Sequence, residues 1–234
     1  MTRLDTLAEC HPELSVRRAF EPTPGLGRAR NAGIAMSRGE IIVFTDDDCH
    51  PRPNYLDAVL DVFDEHDIAY LGGRIVLHDP GDAMVTVQRC PYIRWIPPRS
   101  YIKTGTIQGA NLAMRRGILE KLGGFDPRLG AGTPFSCEDI DLVARASAAG
   151  HSGGYFPGPE VAHHHGRRSS DEVTALLRTY ARGRGTYFAL LFLRSETRWR
   201  TLLPWGTHLC TSPWQSLLDE VRGAWAWWRT YGRS

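Results

Sequence analysis

Residues 39–48 of the sequence read GEIIVFTDDD, a short apolar run followed at once by three aspartates. The run at 41–44 is bounded by Gly39 and by the acidic triplet, which is typical of a buried β-strand. Ligands of open α/β sheets gather at the carboxyl ends of strands, and adjacent carboxylates repel one another unless a cation or donors compensate. The triplet therefore predicts either a site for a hard divalent cation, Mg²⁺ or Mn²⁺, or a solvated acidic turn before the next helix.

Helical and extended patterns alternate on both sides of this stretch. Asn54 is a candidate N-cap, and Leu56, Val59, Leu60 and Phe63 follow it at the spacing of one helix face. The other patterns predict strands within 69–77, with a break at Gly72-Gly73, and over 155–162, a long loop over 78–106, and helices over 116–122, over 138–149 and from 170 onward. Strands that alternate with helices indicate an α/β domain with a helical C-terminal tail.

A second acidic group, Glu138 and Asp139, opens one of the predicted helices. The helix dipole by itself favours acidic residues in a first turn, so one interpretation is purely structural. In the other, Asp139 or Glu138 is a general base. A hydroxyl nucleophile has a very high pKa, and a positioned carboxylate must accept its proton during the attack.

Three consecutive histidines follow the last predicted strand. Side chains alternate along an extended segment, so His163 and His165 share one face and His164 points to the other. Imidazole can complete a coordination sphere of carboxylates and phosphate, and it can equally serve a structural role.

The segment 25–30, GLGRAR, begins like a dinucleotide-binding fingerprint but has Arg30 at the third glycine position. Pro22 and Pro24 also disfavour the strand that should precede such a motif. The sequence therefore excludes a dinucleotide-dependent dehydrogenase, and Arg28 and Arg30 at a helix N-terminus suit an anionic ligand instead.

Charge is distributed unevenly along the 234 residues, whose formal net charge is only +2. This balance gives no reason to expect a nucleic acid partner. From Gly166 onward there are 11 arginines against 5 acidic residues, together with a Trp-rich end. Basic and aromatic residues together are typical of a segment at a membrane surface, and helices that pack on the catalytic body are the alternative.

The five cysteines are an odd number and form no CxxC pair, which argues against a disulfide framework and a structural zinc site. The longest strongly apolar run is too short to span a bilayer. We therefore expect a cytoplasmic protein, either free or peripheral at the cytoplasmic face of the membrane.

Taken in order, four segments resemble the family 2 glycosyltransferases of the GT-A fold. They are GLGRARNAGIAMSRGEIIVFTDDDCHPRPNYL (25–56), IQGANLAMRRGILEKLGGFDPRLG (107–130), EDIDLVARASAAGH (138–151) and the histidine run. The resemblance covers about residues 25–168 and implies a Rossmann-like mixed sheet flanked by helices. It also implies an inverting, Mn²⁺- or Mg²⁺-assisted transfer of a sugar from a nucleotide-diphosphate sugar to a hydroxyl of a glycan or lipid-linked acceptor.

The same resemblance implies roles for individual residues. Asp139 would be the catalytic base, with Glu138 beside it near the acceptor. The metal ligands would be Asp48 and a late histidine, for which His163 matches best and His165 is the second choice. The substrate-binding residues would be Arg30 facing the donor, Asp46 and Asp47 near the ribose and metal, and Gly109, Ala110 and Asn111 lining the sugar and acceptor pocket.

One departure from the family concerns the N-terminal end. Family members begin with a strand, a helix and a second strand that hold much of the nucleotide base, whereas the first matching strand here, at 14–20, resembles their third. We therefore expect a catalytic domain at 1–168 that is incomplete at its N-terminal end, and a helical segment at 169–234. An uncovered sheet edge would call for a second copy or a partner chain.

Two other functions are compatible with parts of the pattern. An inactive nucleotide- or sugar-binding remnant that works as an interaction protein would explain the N-terminal departure. A metal-dependent phosphohydrolase would explain the carboxylates and histidines, but not the segment 109–124.

Overall fold

The computed structural model describes residues 15–232, and a six-stranded mixed sheet forms the centre of this part of the chain. The strands are β1 (Ile41–Phe44), β2 (Cys49–Pro51), β3 (Tyr70–Leu77), β4 (Arg94–Ile96), β5 (Leu112–Arg115) and β6 (Gly153–His163). Their order is β1-β5-β3-β6-β2, and β4 also pairs with β6. β3 and β6 are parallel, while the other pairs are antiparallel.

Seven α-helices accompany the sheet within the described residues. They are α1 (Leu26–Met36), α2 (Tyr55–Glu65), α3 (Arg116–Leu122), α4 (Glu138–Ala148), α5 (Ser170–Leu193), α6 (Ser195–Thr211) and α7 (Trp214–Tyr231). The predicted α/β architecture with a helical C-terminal segment is confirmed.

The strand directions bring distant segments of the chain to one edge of the sheet. β5 is antiparallel to both β1 and β3, and β6 is parallel to β3, so β1, β3 and β6 all point the same way. The carboxyl ends of β1 and β6 and the start of β5 therefore meet at one edge. This edge carries Asp46, Gly109 and His163, each from a different predicted motif.

Strand β3 is continuous through Gly72-Gly73, where a break was predicted. Its register with β6 shifts between Gly72 and Arg74. A Cβ on Gly73 would collide with the side chain of Asn111, and one on Gly72 would lie 2.9 Å from the Ile107 side chain. The two glycines therefore mark a bulge and a close approach, not the end of a strand.

Helix α2 begins after Asn54, as predicted, although the Asn54 side chain makes no capping hydrogen bond. The predicted apolar face is only half correct, because Val59 and Phe63 are buried whereas Leu56 and Leu60 are exposed. The buried face includes Tyr55, which lies one turn before Val59. Contact with β6 selects this face, and sequence spacing alone cannot distinguish two overlapping apolar stripes.

The strand predicted at 14–20 is not formed in the part that the structure describes. Leu14 lies outside the described residues, and residues 15–20 have no strand hydrogen bonds. Arg17 instead donates to the carbonyl of Met36 at the end of α1. Within residues 15–232, β1 pairs with β5 alone, so no neighbouring strand is present to hold this segment extended.

Helices α5 and α7 pack on the sheet domain. Tyr187, Leu190, Leu191 and Trp227 belong to the same buried apolar cluster as Leu112 and Met114 of β5. Glycines permit this close packing: a Cβ on Gly183 would collide with Ser136, and one on Gly223 with the carbonyl of Arg182. Across residues 15–232, none of the helices combines the length and apolarity needed to cross a membrane.

Candidate active site

An open cavity of about 370 Å³ lies at the edge where the ends of β1 and β6 meet the start of β5. It is bounded on its other sides by the N-terminal turn of α4 and by the middle of α5. Seven of the residues predicted for the site line it, namely Arg30, Asp46, Gly109, Ala110, Glu138, Asp139 and His163.

Arg30 reaches this cavity because the first turn of α1 docks on the loop at 126–131. The Leu26 amide donates to the Ala131 carbonyl at 2.8 Å. A Cβ on Gly27 would lie 2.6 Å from the Asp126 carbonyl oxygen, so this helix turn requires a glycine. The next turn then carries Arg30 into the protein, where its side chain is only 8% exposed.

The guanidinium of Arg30 joins the two acidic motifs. Its Nη2 lies 3.0 Å from Asp46 Oδ1, and its Nη1 lies 3.1 Å from Glu138 Oε1. The ring of Phe125 lies beneath it, with 5.4 Å between the guanidinium carbon and the ring centroid. The arginine predicted to face an anionic ligand is therefore already paired with two carboxylates of the protein.

The three aspartates after β1 point in different directions. The backbone turns here, and the Cys49 amide donates to the Asp46 carbonyl at 3.1 Å. Asp46 pairs with Arg30, Asp48 faces His163, and Asp47 is exposed. Repulsion within the triplet is relieved because its first and last carboxylates have separate partners.

Asp48 and His163 form a candidate cation site. Asp48 Oδ1 lies 3.1 Å from His163 Nε2, and the ligand atoms of Asp48, Cys49 and His163 all lie within 4.8 Å of one another. Burial raises the pKa of the Cys49 thiol to about 11, so this thiol is protonated at neutral pH. Sulfur is a soft ligand that hard divalent ions disfavour, so the Asp48 carboxylate and the His163 imidazole are the donors that fit such an ion.

Thr86 fixes the orientation of the His163 ring. Its Nδ1 lies 3.1 Å from the hydroxyl of Thr86, which leaves Nε2 directed to Asp48. His165 is not part of this group. Its Nε2 lies 3.0 Å from the Ala83 carbonyl and its Nδ1 accepts from the Arg167 amide, so both ring nitrogens are engaged elsewhere.

Asp139 is fixed by two backbone amides. Gly109 donates to Oδ2 at 2.7 Å and Ile140 donates to Oδ1 at 2.7 Å. A Cβ on Gly109 would lie 2.6 Å from the guanidinium of Arg30, so a larger residue here would displace Arg30. A carboxylate oxygen has two lone pairs, and each oxygen of Asp139 can therefore still accept a proton or hydrogen bond from a substrate.

Glu138 is a buried acid that titrates near neutral pH. Desolvation, and then the charge of Asp139, raise its pKa to about 7, although the charge of Arg30 acts in the opposite direction. A buried carboxyl with a strongly raised pKa on the wall of a cavity is typical of a functional site.

Asn111 was predicted to line the pocket, but its side chain lies inside the fold. It is fully buried, and its Oδ1 accepts from the Tyr55 hydroxyl at 2.8 Å. Its Nδ2 donates to the carbonyls of Arg74 and Pro159 at 2.9 and 3.2 Å. These bonds join β6 to the bulge of β3, so the position of Asn111 follows from the irregularity of that strand.

The cavity also contains residues that sequence reasoning missed. Tyr180 and Arg184 of α5 lie on its wall, together with Thr86 and Gln108. Arg184 is held by Glu220 and by Ser216, each 2.8 Å away. The segment YARGRG at 180–185 contains a sequence indication of this contact. Its two glycines, Gly183 and Gly185, allow the helix to pack closely against neighbouring backbone.

Residues 4–186 match the family described as glycosyltransferase-like family 2. The chain therefore belongs to this family, as the four sequence segments predicted.

Curated proteins that are similar to this chain are also named glycosyltransferases. The chain is 28% identical over 155 residues to the pre-mycofactocin glycosyltransferase of Mycobacterium tuberculosis, which covers 64% of this chain and 32% of the relative. It is 27% identical over 124 residues to the glycosyltransferase AglE of Haloferax volcanii, covering 53% of this chain and 39% of that protein. The chain thus spans about a third of the length of these relatives.

Solved structures share the fold. The mannosyltransferase PcManGT of Pyrobaculum calidifontis superposes with a TM-score of 0.63 at 18% identity, covering 98% of this chain and 62% of that one. S. aureus TarS, residues 1–349, gives a TM-score of 0.58 at 15% identity, covering 98% and 60%. The fold is therefore the GT-A type that the sequence predicted.

Proposed function

We propose that this chain transfers a sugar from a nucleoside-diphosphate sugar to a hydroxyl of a glycan or lipid-linked acceptor, with inversion at the anomeric carbon. The observation that carries the proposal is one cavity that is lined both by Asp46, from the first acidic motif, and by Glu138 and Asp139, from the second. Asp46 and Asp139 are 93 residues apart in the sequence (139 − 46), and Arg30 links Asp46 to Glu138, the neighbour of Asp139.

In this proposal the acceptor binds beside Asp139. The acceptor oxygen forms a bond to the anomeric carbon while the bond from that carbon to the diphosphate oxygen breaks, and the hydroxyl proton passes to Asp139. The amides of Gly109 and Ile140 support this role because they hold the carboxylate in one orientation. Glu138 lies beside the base and contributes to the acceptor side of the cavity.

Asp48 and His163 are the residues that would hold Mn²⁺ or Mg²⁺. Such an ion, when bound, neutralises charge on a leaving diphosphate. PcManGT, which shares the fold, was solved in complex with GDP-Man and Mn²⁺, and this supports a similar donor and ion here. Asp46 and Asp47 belong to the same turn and would lie near the donor ribose and the ion.

The outer surface of the C-terminal helices supports contact with a membrane. The most exposed of the large apolar side chains of α6 and α7 are Trp199, Leu203, Trp214, Val221 and Trp225. The basic excess from Gly166 onward adds attraction to anionic headgroups. A lipid-linked acceptor at a membrane surface would fit this arrangement.

Binding of nucleoside diphosphates tests the proposal directly. We expect the melting temperature of the full chain to rise with one of GDP, UDP, ADP or CDP in the presence of Mn²⁺, and to rise much less without the ion. The matching nucleotide sugar should then be consumed when acceptor is present. A rise in melting temperature without consumption of any nucleotide sugar would favour the inactive binding remnant. Consumption of the nucleotide sugar that is equally fast without acceptor would favour a hydrolase.

A further inference from the structure

A second histidine cluster lies beside the candidate active site. The rings of His50 and His78 stack with 4.2 Å between their centroids, and those of His78 and His164 are 5.2 Å apart. One ligand nitrogen from each of the three lies within 4.8 Å of the others, and all three residues are exposed. None of the three belongs to the catalytic machinery proposed above.

The backbone holds the three histidines together. His50 lies in β2, opposite Ala162 of β6. The His78 amide, directly after β3, donates to the His163 carbonyl at 3.0 Å, and the His164 amide donates to the Asp48 carbonyl at 2.9 Å. The backbone of β2 and of the ends of β3 and β6 therefore fixes the Cα positions of the three histidines. Rotation of their side chains can then bring the ring nitrogens into the geometry of a metal site.

The donor set is chemically distinct from that of the candidate active site. It consists of three imidazoles with no carboxylate, and the described residues provide no hydrogen bond or ion pair to these rings. Imidazole ligands suit Zn²⁺, Ni²⁺ and Cu²⁺, whereas carboxylate and carbonyl oxygens suit Mg²⁺ and Mn²⁺. Three histidines with an open fourth position are an established arrangement for zinc.

We propose that His50, His78 and His164 form a zinc-binding site at the surface, separate from Asp48 and His163. The site tethers β2 to the ends of β3 and β6. His50 is two residues from Asp48, and His164 adjoins His163, so zinc bound here fastens together the two segments that carry the candidate ligands of the active site.

Zinc titration of the full chain without any affinity tag tests this site, with Zn²⁺ alone as the probe and a competing chelator to set the free concentration. In the presence of millimolar Mg²⁺, we expect one equivalent of Zn²⁺ to bind and to raise the melting temperature of the protein. His78→Ala and His50→Ala should each weaken zinc binding by about tenfold or more, because each removes one of three ligands. His151→Ala, at a histidine outside both clusters, is the matched control.

Two further comparisons keep the result unambiguous. Asp48→Ala should leave zinc affinity unchanged, since Asp48 belongs to the candidate cation site with His163. A loss of zinc affinity equal to that of His78→Ala would place the zinc at the active site and overturn the proposal. Equal zinc affinity in the wild type, His50→Ala and His78→Ala would also overturn it. Because the metal-free melting temperature reports folding of each variant and nucleotide binding is measured separately, failure here is distinguishable from failure of the proposed transferase activity.

Discussion

Arg30 and Glu138 are separated by 108 residues in the sequence and form a buried ion pair, with 3.1 Å between Nη1 and Oε1. The side chains are only 8% and 10% exposed, so neither charge is well solvated without the other. Asp46 is the second partner of the same guanidinium. This pair therefore holds the helix that carries Asp139 against the turn that carries Asp48.

At about pH 8 or above, where Glu138 is ionised in the wild type, Arg30→Ala should destabilise the protein by about 3–5 kcal/mol, because removal of one partner leaves a buried carboxylate without compensation. Adding Glu138→Gln to Arg30→Ala should recover part of this loss. Urea unfolding of the two variants measures both effects. Arg28→Ala, on the same helix but outside the cavity, is the control and should change stability by less than about 0.5 kcal/mol. Equal effects of Arg28→Ala and Arg30→Ala would contradict the role of the pair.

Asp139→Asn should reduce sugar transfer by about 10²–10⁴-fold, because the amide cannot accept the acceptor proton. The affinity for the nucleoside diphosphate should change little, since the substitution keeps the shape of the side chain. Initial rates and nucleotide titrations measure the two quantities separately. Asp64→Asn, on the exposed face of α2, is the matched control. Wild-type rates in Asp139→Asn would assign the base to another residue.

Asp48→Ala and His163→Ala should each abolish the Mn²⁺-dependent part of nucleotide binding, because each removes a candidate ligand. Thermal shifts with and without Mn²⁺ measure this part directly. His165→Ala tests the alternative histidine and should leave the Mn²⁺ effect intact, since the ring of His165 contacts the Ala83 carbonyl and the Arg167 amide instead. The reverse result, with His165 required and His163 dispensable, would show that the ion binds elsewhere.

The raised pKa of Glu138 predicts a pH dependence of stability. Its folded-state value of about 7 lies above the ordinary value of 4.5, so the folded protein binds this proton more tightly than the unfolded chain. The contribution of this proton to the free energy of unfolding is fully present below about pH 4.5 and is lost as the pH rises through 7. Between pH 5 and about 8, wild-type stability should therefore fall relative to that of Glu138→Gln, as measured by urea unfolding without divalent ions. A constant difference between the two proteins across this range would rule out the titration.

Contact with a membrane predicts that the exposed tryptophans of the C-terminal helices contribute to lipid binding. The double substitution Trp199→Ala and Trp214→Ala should weaken co-sedimentation with vesicles of phosphatidylcholine and phosphatidylglycerol, and added salt should weaken binding of the wild type. Trp95→Ala removes an exposed tryptophan of β4 and is the control. No binding of the wild-type chain to these vesicles would exclude this surface as a membrane contact.

Local patterns in the sequence predicted the chemically important segments. A short apolar run before three aspartates predicted β1 and the position of the turn, and two acids before an apolar helical repeat predicted the start of α4. Such features depend on neighbouring residues, because strand burial and helix first turns are encoded within a few positions. Alternation along an extended segment also predicted that His163 and His164 point to different sides.

Only the tertiary structure decided which of these residues meet. Asn111 was predicted in the pocket with Gly109 and Ala110, but the bulge of β3 draws its side chain into the interior. The strand order places Asp46 and Glu138 on one arginine, and it brings His78 beside His164. These contacts join residues that are far apart in the chain, so they depend on sheet order and on close packing around glycines. Local sequence determined which elements carry the chemistry, and long-range packing determined which side chains share a site.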